Sequence, residues 1–234
     1  MKKILLSLFD HQTLALLRWD LKLLGVRARN VLLARRRKLN ALVRKRTRPL
    51  FLNLGAGPRG KEDGHWINVD AARYPSVHYL ADFNRPLPFA VGTFDGIYSE
   101  HVLEHFTLEQ GASLLRECLR ILKQGGCIRL VVPDGAAIIE WYSHDPAKLL
   151  RNRPGEWDSP MGAVNSYFRQ RYEHRLIYDL ELLTALLAKL GYERAGRVSF
   201  RIGSVAEMSA MDDVKYEQES LYVEAFAPGC GGDR

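Results

Sequence analysis

Polar and ionisable side chains recur in this sequence at the ends of short apolar runs. The set that could do chemistry comprises Asp70, Asp82, Ser99 and His101. Carboxylates can accept hydrogen bonds from ligand hydroxyl and amino groups, and a histidine can take up a proton near neutral pH. If the runs are parallel strands, their carboxyl ends meet at one sheet edge, where open α/β sheets bind ligands. The pattern predicts one binding site assembled from several strand ends.

A glycine-rich turn lies at the end of the first apolar run. Gly55, Ala56 and Gly57 follow Leu54 directly, and the two glycines let the backbone bend sharply and approach a ligand closely. We expect a helix to begin next, with its free N–H groups facing the same space. A G-x-G turn alone is weak evidence for a nucleotide site, because turns use glycine in many contexts.

These residues need a scaffold that brings the strand ends together. From residue 50 onward, apolar segments alternate with helical patterns, which is typical of a mostly parallel α/β sheet with helices on both faces. The predicted strands are Leu50–Leu54, Trp66–Asp70, Val77–Ala81, Phe94–Ser99, Cys127–Val132, Arg197–Arg201 and Leu221–Phe226. The predicted helices are Leu108–Leu122 and Asp179–Leu190. The stretch between Trp141 and Arg175, rich in arginine, proline and glycine, is predicted to be a long loop over the strand ends.

Length and composition favour one globular domain with appendages. The chain has 234 residues, of which 47% are hydrophobic, and no apolar run approaches the roughly 18 residues of a membrane span. Cys118, Cys127 and Cys230 show no metal-ligand or C-x-x-C spacing, so we expect reduced thiols in a cytoplasmic protein. The predicted divisions are an extension at 1–48, a compact domain at 49–227 and a disordered tail at 228–234.

The basic charge belongs to the N-terminal extension. Residues 1–50 contain 14 Lys and Arg against Asp10 and Asp20, whereas the whole chain carries a net charge of +7, so the remainder is net acidic. Apolar residues at helical spacing, among them Ile4, Leu8 and Trp19, predict a basic helical extension. That extension could pack on the core with a solvated basic face, lie on an anionic membrane surface, or bind nucleic acid, which is the least favoured of the three.

Ordered motifs along residues 50–134 resemble those of class I S-adenosylmethionine-dependent methyltransferases, within the group called methyltransferase type 11. The motifs that carry the resemblance are Leu54-Gly55-Ala56-Gly57-Pro58, Trp66-Ile67-Asn68-Val69-Asp70, Leu87-Pro88-Phe89, His101-Val102-Leu103-Glu104-His105 and Val132-Pro133-Asp134. The resemblance implies a Rossmann-like fold with a seven-stranded sheet and S-adenosylmethionine as the cofactor. The C-terminal part is similar to a bacterial subgroup associated with cell-surface polysaccharide pathways.

The resemblance also implies roles for single residues. Gly55, Ala56 and Gly57 would lie along the methionine part of the cofactor, Asp70 at the ribose, Asp82 and Phe83 at the adenine, and Ser99 and His101 near the sulfonium and the acceptor. Asn53 stands where many members carry an acidic residue and is included in the cofactor site. Arg59 stands where a third glycine is common, which makes this loop less diagnostic than its neighbours.

Methyl transfer to an oxygen needs an aligned acceptor and benefits from a base that takes its proton. The predicted catalytic residues are His101 and His174, with Tyr178 a weaker candidate. For His105 a structural hydrogen bond is the favoured interpretation. The expected acceptor is a small molecule, a sugar or polysaccharide, or a phosphate.

Two other interpretations stay open at this point. His101, Glu104 and His105 could share a helix face as metal ligands, similar to the E-x-x-E-H arrangement of small-RNA 2′-O-methyltransferases, but the prediction is that no metal binds. The chain could also be a cofactor-binding protein without transferase activity at the inner membrane face, or an RNA methyltransferase that uses the basic extension. A nicotinamide-dependent dehydrogenase fits least, since the glycine pattern is short.

Overall fold

Two helices precede the sheet in the computed structural model, which describes residues 11–153, 159–170 and 173–229. They are α1, His11–Leu32, and α2, Arg35–Lys45. Leu14, Leu23 and Val26 on α1 and Leu39 on α2 are buried, so apolar side chains of both helices are shielded from solvent. The features predicted at residues 1–10, Trp157, Tyr172 and the tail 230–234 lie outside the described residues.

A seven-stranded sheet forms the centre of the domain. Its strands are β1 Phe51–Leu54, β2 Trp66–Asp70, β3 Tyr79–Leu80, β4 Phe94–Glu100, β5 Leu122–Pro133, β6 Glu193–Val198 and β7 Ser220–Phe226. They lie in the order β3-β2-β1-β4-β5-β7-β6, and β7 runs antiparallel to both of its neighbours while the other pairs are parallel. This confirms the mostly parallel, Rossmann-like sheet.

Helices follow the strands, and all but the last short one begin at side-chain caps. They are α3 Leu108–Ile121, α4 Gly135–His144, α5 Pro146–Asn152, α6 Pro160–Arg169, α7 Leu180–Lys189 and α8 Ala206–Ser209. Thr107 and Gln110 form a reciprocal capping box at the start of α3, and Asp134 and Asp179 cap α4 and α7. These caps satisfy N–H groups that have no partner inside a helix, and so fix where each helix begins after its strand.

The two faces of the sheet are covered unequally. Strand residues alternate between faces, so Leu50, Leu52 and Leu54 enter a large cluster with side chains of α2, α3 and α7. Phe51 and residues of the opposite face pack instead on Met208 of the short helix α8. A third cluster joins α4, α5 and α6. No helix within the described ranges is long and apolar enough to cross a bilayer.

Several predicted segments differ from the structure, and the strand predicted at 127–132 already begins at Leu122. Only residues 55–65 connect β1 to β2, and this connection holds one 3₁₀ turn at Gly57–Arg59 rather than the expected helix, because so short a crossover leaves no room for several turns. The strand predicted at 197–201 lies at Glu193–Val198. The predicted long loop contains α5 and α6.

The shift of the sixth strand has its cause in a buried arginine. Arg129 of β5 is fully buried, and its guanidinium donates to both carboxylate oxygens of Asp212 and to Glu224. It also donates to the carbonyl of Ser199 at 2.9 Å, which ties the chain after β6 to the guanidinium. The Ser199 carbonyl also accepts from the Ile202 N–H, and the Arg201 N–H donates to Asp212, so the backbone after Val198 is bonded to a turn and to the partner of Arg129 rather than to β7.

The described cysteines are buried thiols. Burial raises the pKa of Cys118 and of Cys127 to about 12, so both stay protonated at neutral pH. Both serve as small core residues, as expected for reduced cysteines, and neither is a reactive nucleophile.

Replacing Arg129 by methionine should destabilise the domain strongly. Methionine is unbranched like arginine and fills part of the same space, but it leaves the Asp212 and Glu224 carboxylates buried without their cation. The loss costs about 3–5 kcal/mol. Chemical denaturation of Arg129→Met measures the free energy of unfolding. The control is Arg151→Met, since Arg151 pairs with Asp145 at 3.4 Å on the surface and such pairs contribute about 1 kcal/mol or less. Equal losses of unfolding free energy in the two variants would show that the buried ion pairs of Arg129 contribute no more than a surface pair.

Candidate functional site

The carboxyl ends of three adjacent strands form the candidate site. Leu54 at the end of β1 pairs in register with Val69 of β2 on one side and with Ser99 of β4 on the other. The residues that follow each strand end are therefore neighbours at one edge of the sheet. Asp70 and Ser99, both predicted site residues, come together here as parallel pairing requires.

Asp70 holds the glycine turn in place. One carboxylate oxygen accepts a hydrogen bond from the Gly57 N–H at 2.8 Å, and the other accepts one from the Ala72 N–H at 2.6 Å. The side chain is half-buried. Each oxygen retains a lone pair, so Asp70 can also accept hydrogen bonds from ligand hydroxyl groups.

The two glycines of the turn serve different needs. Both have positive φ, at 78° for Gly55 and 53° for Gly57. A Cβ added at Gly55 would lie 2.1 Å from the Cγ2 atom of Val102, so packing alone requires glycine there. A Cβ added at Gly57 would meet nothing within 4 Å, so the backbone there borders open space that a ligand could fill.

Asp82 follows β3 and is already paired with the first helix. The Arg27 Nε atom donates to one Asp82 carboxylate oxygen at 2.6 Å, and the Asn84 N–H donates to the other at 3.0 Å. Asn30 of α1 donates to the carbonyl of Leu80 at 2.8 Å. The end of α1 therefore lies against the strand end at which the resemblance would put the adenine. Phe83 beside it is buried in the large cluster.

Asn53, which precedes the turn, and Ala56 within it are both buried. The Asn53 amide is buried and lies 3.4 Å from the side-chain oxygen of Asn68, which belongs to a network that also binds the backbone of Lys61 and Ser76. This amide network supports the turn from below. The cofactor role of both residues stays a prediction.

Arg59 links the turn after β1 to the end of β4. Its guanidinium pairs with Glu100 at the end of β4 and with Asp213 at 2.8 Å. Glu100 also accepts hydrogen bonds from the Tyr98 hydroxyl and from the Asp213 N–H. Sequence reasoning noted Arg59 only as a missing glycine. The basic residue at that position was the signal for an ion pair with an acidic strand end.

His101 is held in a strained and well-defined position. Its φ of 52° is unusual for a residue with a side chain, and its N–H donates to the Val131 carbonyl of β5. The ring Nδ1 lies 3.0 Å from a carboxylate oxygen of Glu104, and Nε2 lies 3.1 Å from the Ser220 hydroxyl. The ring also contacts Tyr216, with 4.1 Å between the centroids.

Glu104 is the group that sequence reasoning underestimated. The Glu104 side chain has no solvent exposure, although a charged residue in a short connection after a strand is usually exposed. Burial acts to raise the pKa of Glu104, but the hydrogen bond from His101 and the nearby rings of His105 and His174 outweigh it and hold the pKa below its ordinary value. Glu104 is therefore an ionised carboxylate inside the protein.

His174 approaches the same carboxylate from the chain before α7. Its Nε2 atom lies 3.9 Å from Glu104, and its ring meets that of His105 edge to face at 5.0 Å. Burial lowers the pKa of His174 more than Glu104 raises it, so the imidazole is neutral at neutral pH. The structure brings the predicted catalytic residues His101 and His174 to one carboxylate, but His174 is buried while the edge of His101 is partly exposed.

Comparison with known proteins adds a family match. Residues 64–130 match the model of a family described as a methyltransferase domain, a span that contains Asp70, Asp82, Ser99 and His101. No curated protein matches the chain.

Solved structures also resemble the chain at low sequence identity. A SAM dependent methyltransferase from Archaeoglobus fulgidus is 16% identical, with a TM-score of 0.46, over 85% of this chain and 94% of that chain. A chain from the Haloferax volcanii complex that contains the Trm112 methyltransferase activator is 14% identical, with a TM-score of 0.48, over 87% and 94%. With TM-scores below 0.5, these likenesses support no inference about this chain.

Alanine at the two glycines of the turn should destabilise the domain unequally. Gly55→Ala places a methyl group on Val102 in a strained conformation and should cost about 2–5 kcal/mol. Gly57→Ala meets open space, so only the left-handed conformation of alanine costs about 1–2 kcal/mol. Thermal and chemical unfolding of both variants compare the two losses. A greater loss for Gly57→Ala would contradict the packing described here.

Proposed function

We propose that this chain, which carries a class I methyltransferase domain, transfers the methyl group of S-adenosylmethionine to an oxygen atom of a sugar, phosphate or other small acceptor. The family match is the observation that carries the proposal, because the matched residues include those that gather at one edge of the sheet. S-adenosylmethionine is the cofactor that this family implies.

The residues present fit the cofactor. Bound S-adenosylmethionine would supply an activated methyl group on a sulfonium. The open backbone at Gly57 can lie against it without steric conflict. The Asp70 oxygens have lone pairs left for two ribose hydroxyls, and the Asp82 carboxylate, which Arg27 covers, can accept from an adenine amino group once Arg27 withdraws.

His101 is the proposed base for the acceptor hydroxyl. Because the ionised Glu104 can only accept hydrogen bonds, the 3.0 Å contact requires the proton of His101 to reside on Nδ1. Nε2 then carries the lone pair, which the Ser220 hydroxyl can donate to at 3.1 Å. An acceptor hydroxyl that replaced Ser220 at this atom would pass its proton to Nε2, while Glu104 stabilises the resulting imidazolium.

The acceptor class rests on weaker support. The resemblance of the C-terminal part to a group associated with cell-surface polysaccharides favours a sugar hydroxyl. Arginines before α7 could have favoured a phosphate, but Arg153 already pairs with Glu219 at 3.6 Å and stacks on Tyr167. This internal pairing leaves Arg153 less available to an anionic ligand, so we place a neutral hydroxyl first among the acceptors.

Replacing Asp70 by asparagine should weaken cofactor binding at least tenfold. The amide keeps the shape of the side chain but can accept hydrogen bonds at only one atom, so it cannot serve both the turn and two ribose hydroxyls. Calorimetry with S-adenosylmethionine and S-adenosylhomocysteine measures the loss, and tenfold corresponds to about 1.4 kcal/mol. Asp63→Asn, an exposed position before β2, is the control. A folded parent chain that binds neither compound would overturn the proposed function.

Replacing Arg27 by glutamine should strengthen cofactor binding by up to about fivefold. In the proposed complex the adenine amino group reaches the Asp82 carboxylate only when Arg27 withdraws, and a partly exposed ion pair contributes about 1 kcal/mol or less. The same calorimetric titration detects the change. Arg18→Gln removes an equal charge from an exposed position of α1 and serves as the control. Weaker binding specific to Arg27→Gln would show that Arg27 supports the cofactor site instead.

A further inference from the structure

We propose that Glu104, His105 and His174 form a binding site for one divalent transition-metal ion of the zinc class, adjacent to His101. One potential ligand atom from each of the three residues lies within 4.8 Å of the other two. The three residues come from two segments that are distant in sequence, and Glu104 and His174 are buried.

The separation of the ligand atoms is close to what a metal site needs. Zinc binds nitrogen and carboxylate oxygen at about 2.0–2.1 Å, which for tetrahedral geometry puts ligand atoms about 3.3 Å apart. A contraction of about 1.5 Å at most would complete the site. His105 is only half-buried, so a small rotation of its side chain can supply this movement without disturbing the core.

Both histidines are held in the tautomer that a metal requires. The Nδ1 atom of His174 lies 2.7 Å from the Tyr167 carbonyl, and that of His105 lies 3.2 Å from the Glu173 carbonyl. A carbonyl oxygen can only accept, so each Nδ1 carries the proton and each Nε2 presents its lone pair. Orientation of ligand imidazoles by backbone carbonyls in this way is usual around bound metals.

The charge of the cluster calls for a cation. Among the described residues, no group donates a hydrogen bond to the Oε2 atom of Glu104, although this oxygen is fully buried. The His174 Nε2 lone pair faces the same carboxylate at 3.9 Å, so two electron-rich groups oppose each other without a proton between them. The Tyr178 hydroxyl also has no hydrogen-bond partner in the described part of the chain. A bound cation would satisfy the carboxylate and the lone pairs together.

The donor set selects the class of ion. Two imidazole nitrogens and one carboxylate oxygen suit zinc and its first-row neighbours, whereas magnesium and calcium favour oxygen ligands. Three protein ligands leave at least one coordination position open. His101 is not a ligand in this arrangement; it donates to the Oε1 atom of Glu104 and so fixes the orientation of the carboxylate. The site does not depend on methyl transfer or on cofactor binding.

Metal binding to the full-length chain, freed of metal with a chelator, tests the proposal. We expect calorimetry to show one Zn²⁺ ion bound per chain with micromolar or tighter affinity, and Co²⁺ to give the visible absorption of a four- or five-coordinate site. Glu104→Gln and His105→Gln should each weaken binding at least tenfold. His144→Gln, at an exposed position of α4, should leave it unchanged.

The design separates loss of the site from loss of the fold. His105→Gln alters a half-buried side chain, and a cooperative unfolding transition shows that each variant is folded, whether or not the chain binds S-adenosylhomocysteine. The proposal is overturned if the parent chain binds no Zn²⁺ or Co²⁺, or if bound metal is insensitive to Glu104→Gln and His105→Gln. Because the titrations with metal and with cofactor are independent, either the metal site or the proposed function can fail alone.

Discussion

A carboxylate buried beyond the reach of water must be surrounded by groups that keep it ionised, and Glu104 imposes this condition on the site. Its side chain binds His101, and its backbone carbonyl accepts the N–H groups of Arg175 and Leu176. These bonds join the chain after β4 to the chain before α7. The position of His174 and the orientation of His101 both follow from that junction. The hydrogen bond from His101 offsets part of the cost of burying this charge, while the Oε2 atom keeps no donor among the described residues.

The sheet was predictable because its signal is local. Each apolar run alternates or stays continuous over a few residues, and the polar residue at its end marks where the strand leaves the core. Leu54, Asp70 and Ser99 could therefore be placed at one edge from the sequence alone. The sixth strand could not, since its end depends on Arg129, which lies about 70 residues earlier and binds the chain after Val198. The glycine pattern predicted a helix after β1, but the connection to β2 is too short to hold one.

The site was predictable only in part, because its pairings join residues far apart in sequence. The i and i+4 spacing grouped His101 with Glu104 and His105, which assumes an α-helix. The chain there forms a 3₁₀ turn at Leu103–His105, and His101 precedes it with positive φ, so the periodicity of an α-helix does not apply. His174 joins the group from the other end of the domain. Arg27 and Asp82 are also far apart in the sequence, so no local spacing of residues predicts their contact.

The contact between Arg27 and Asp82 has a thermodynamic consequence beyond the site itself. If adenine and α1 share one carboxylate, occupation of the cofactor site and docking of this helix are linked equilibria, and the coupling must be reciprocal. The helix exposes Leu17, Leu21 and Leu24 beside its basic side chains. A surface that bound those side chains only when α1 is undocked would strengthen cofactor binding. Bound cofactor would strengthen the binding of α1 to that surface by the same factor. The docking of α1 on the domain would then depend on whether the cofactor site is occupied.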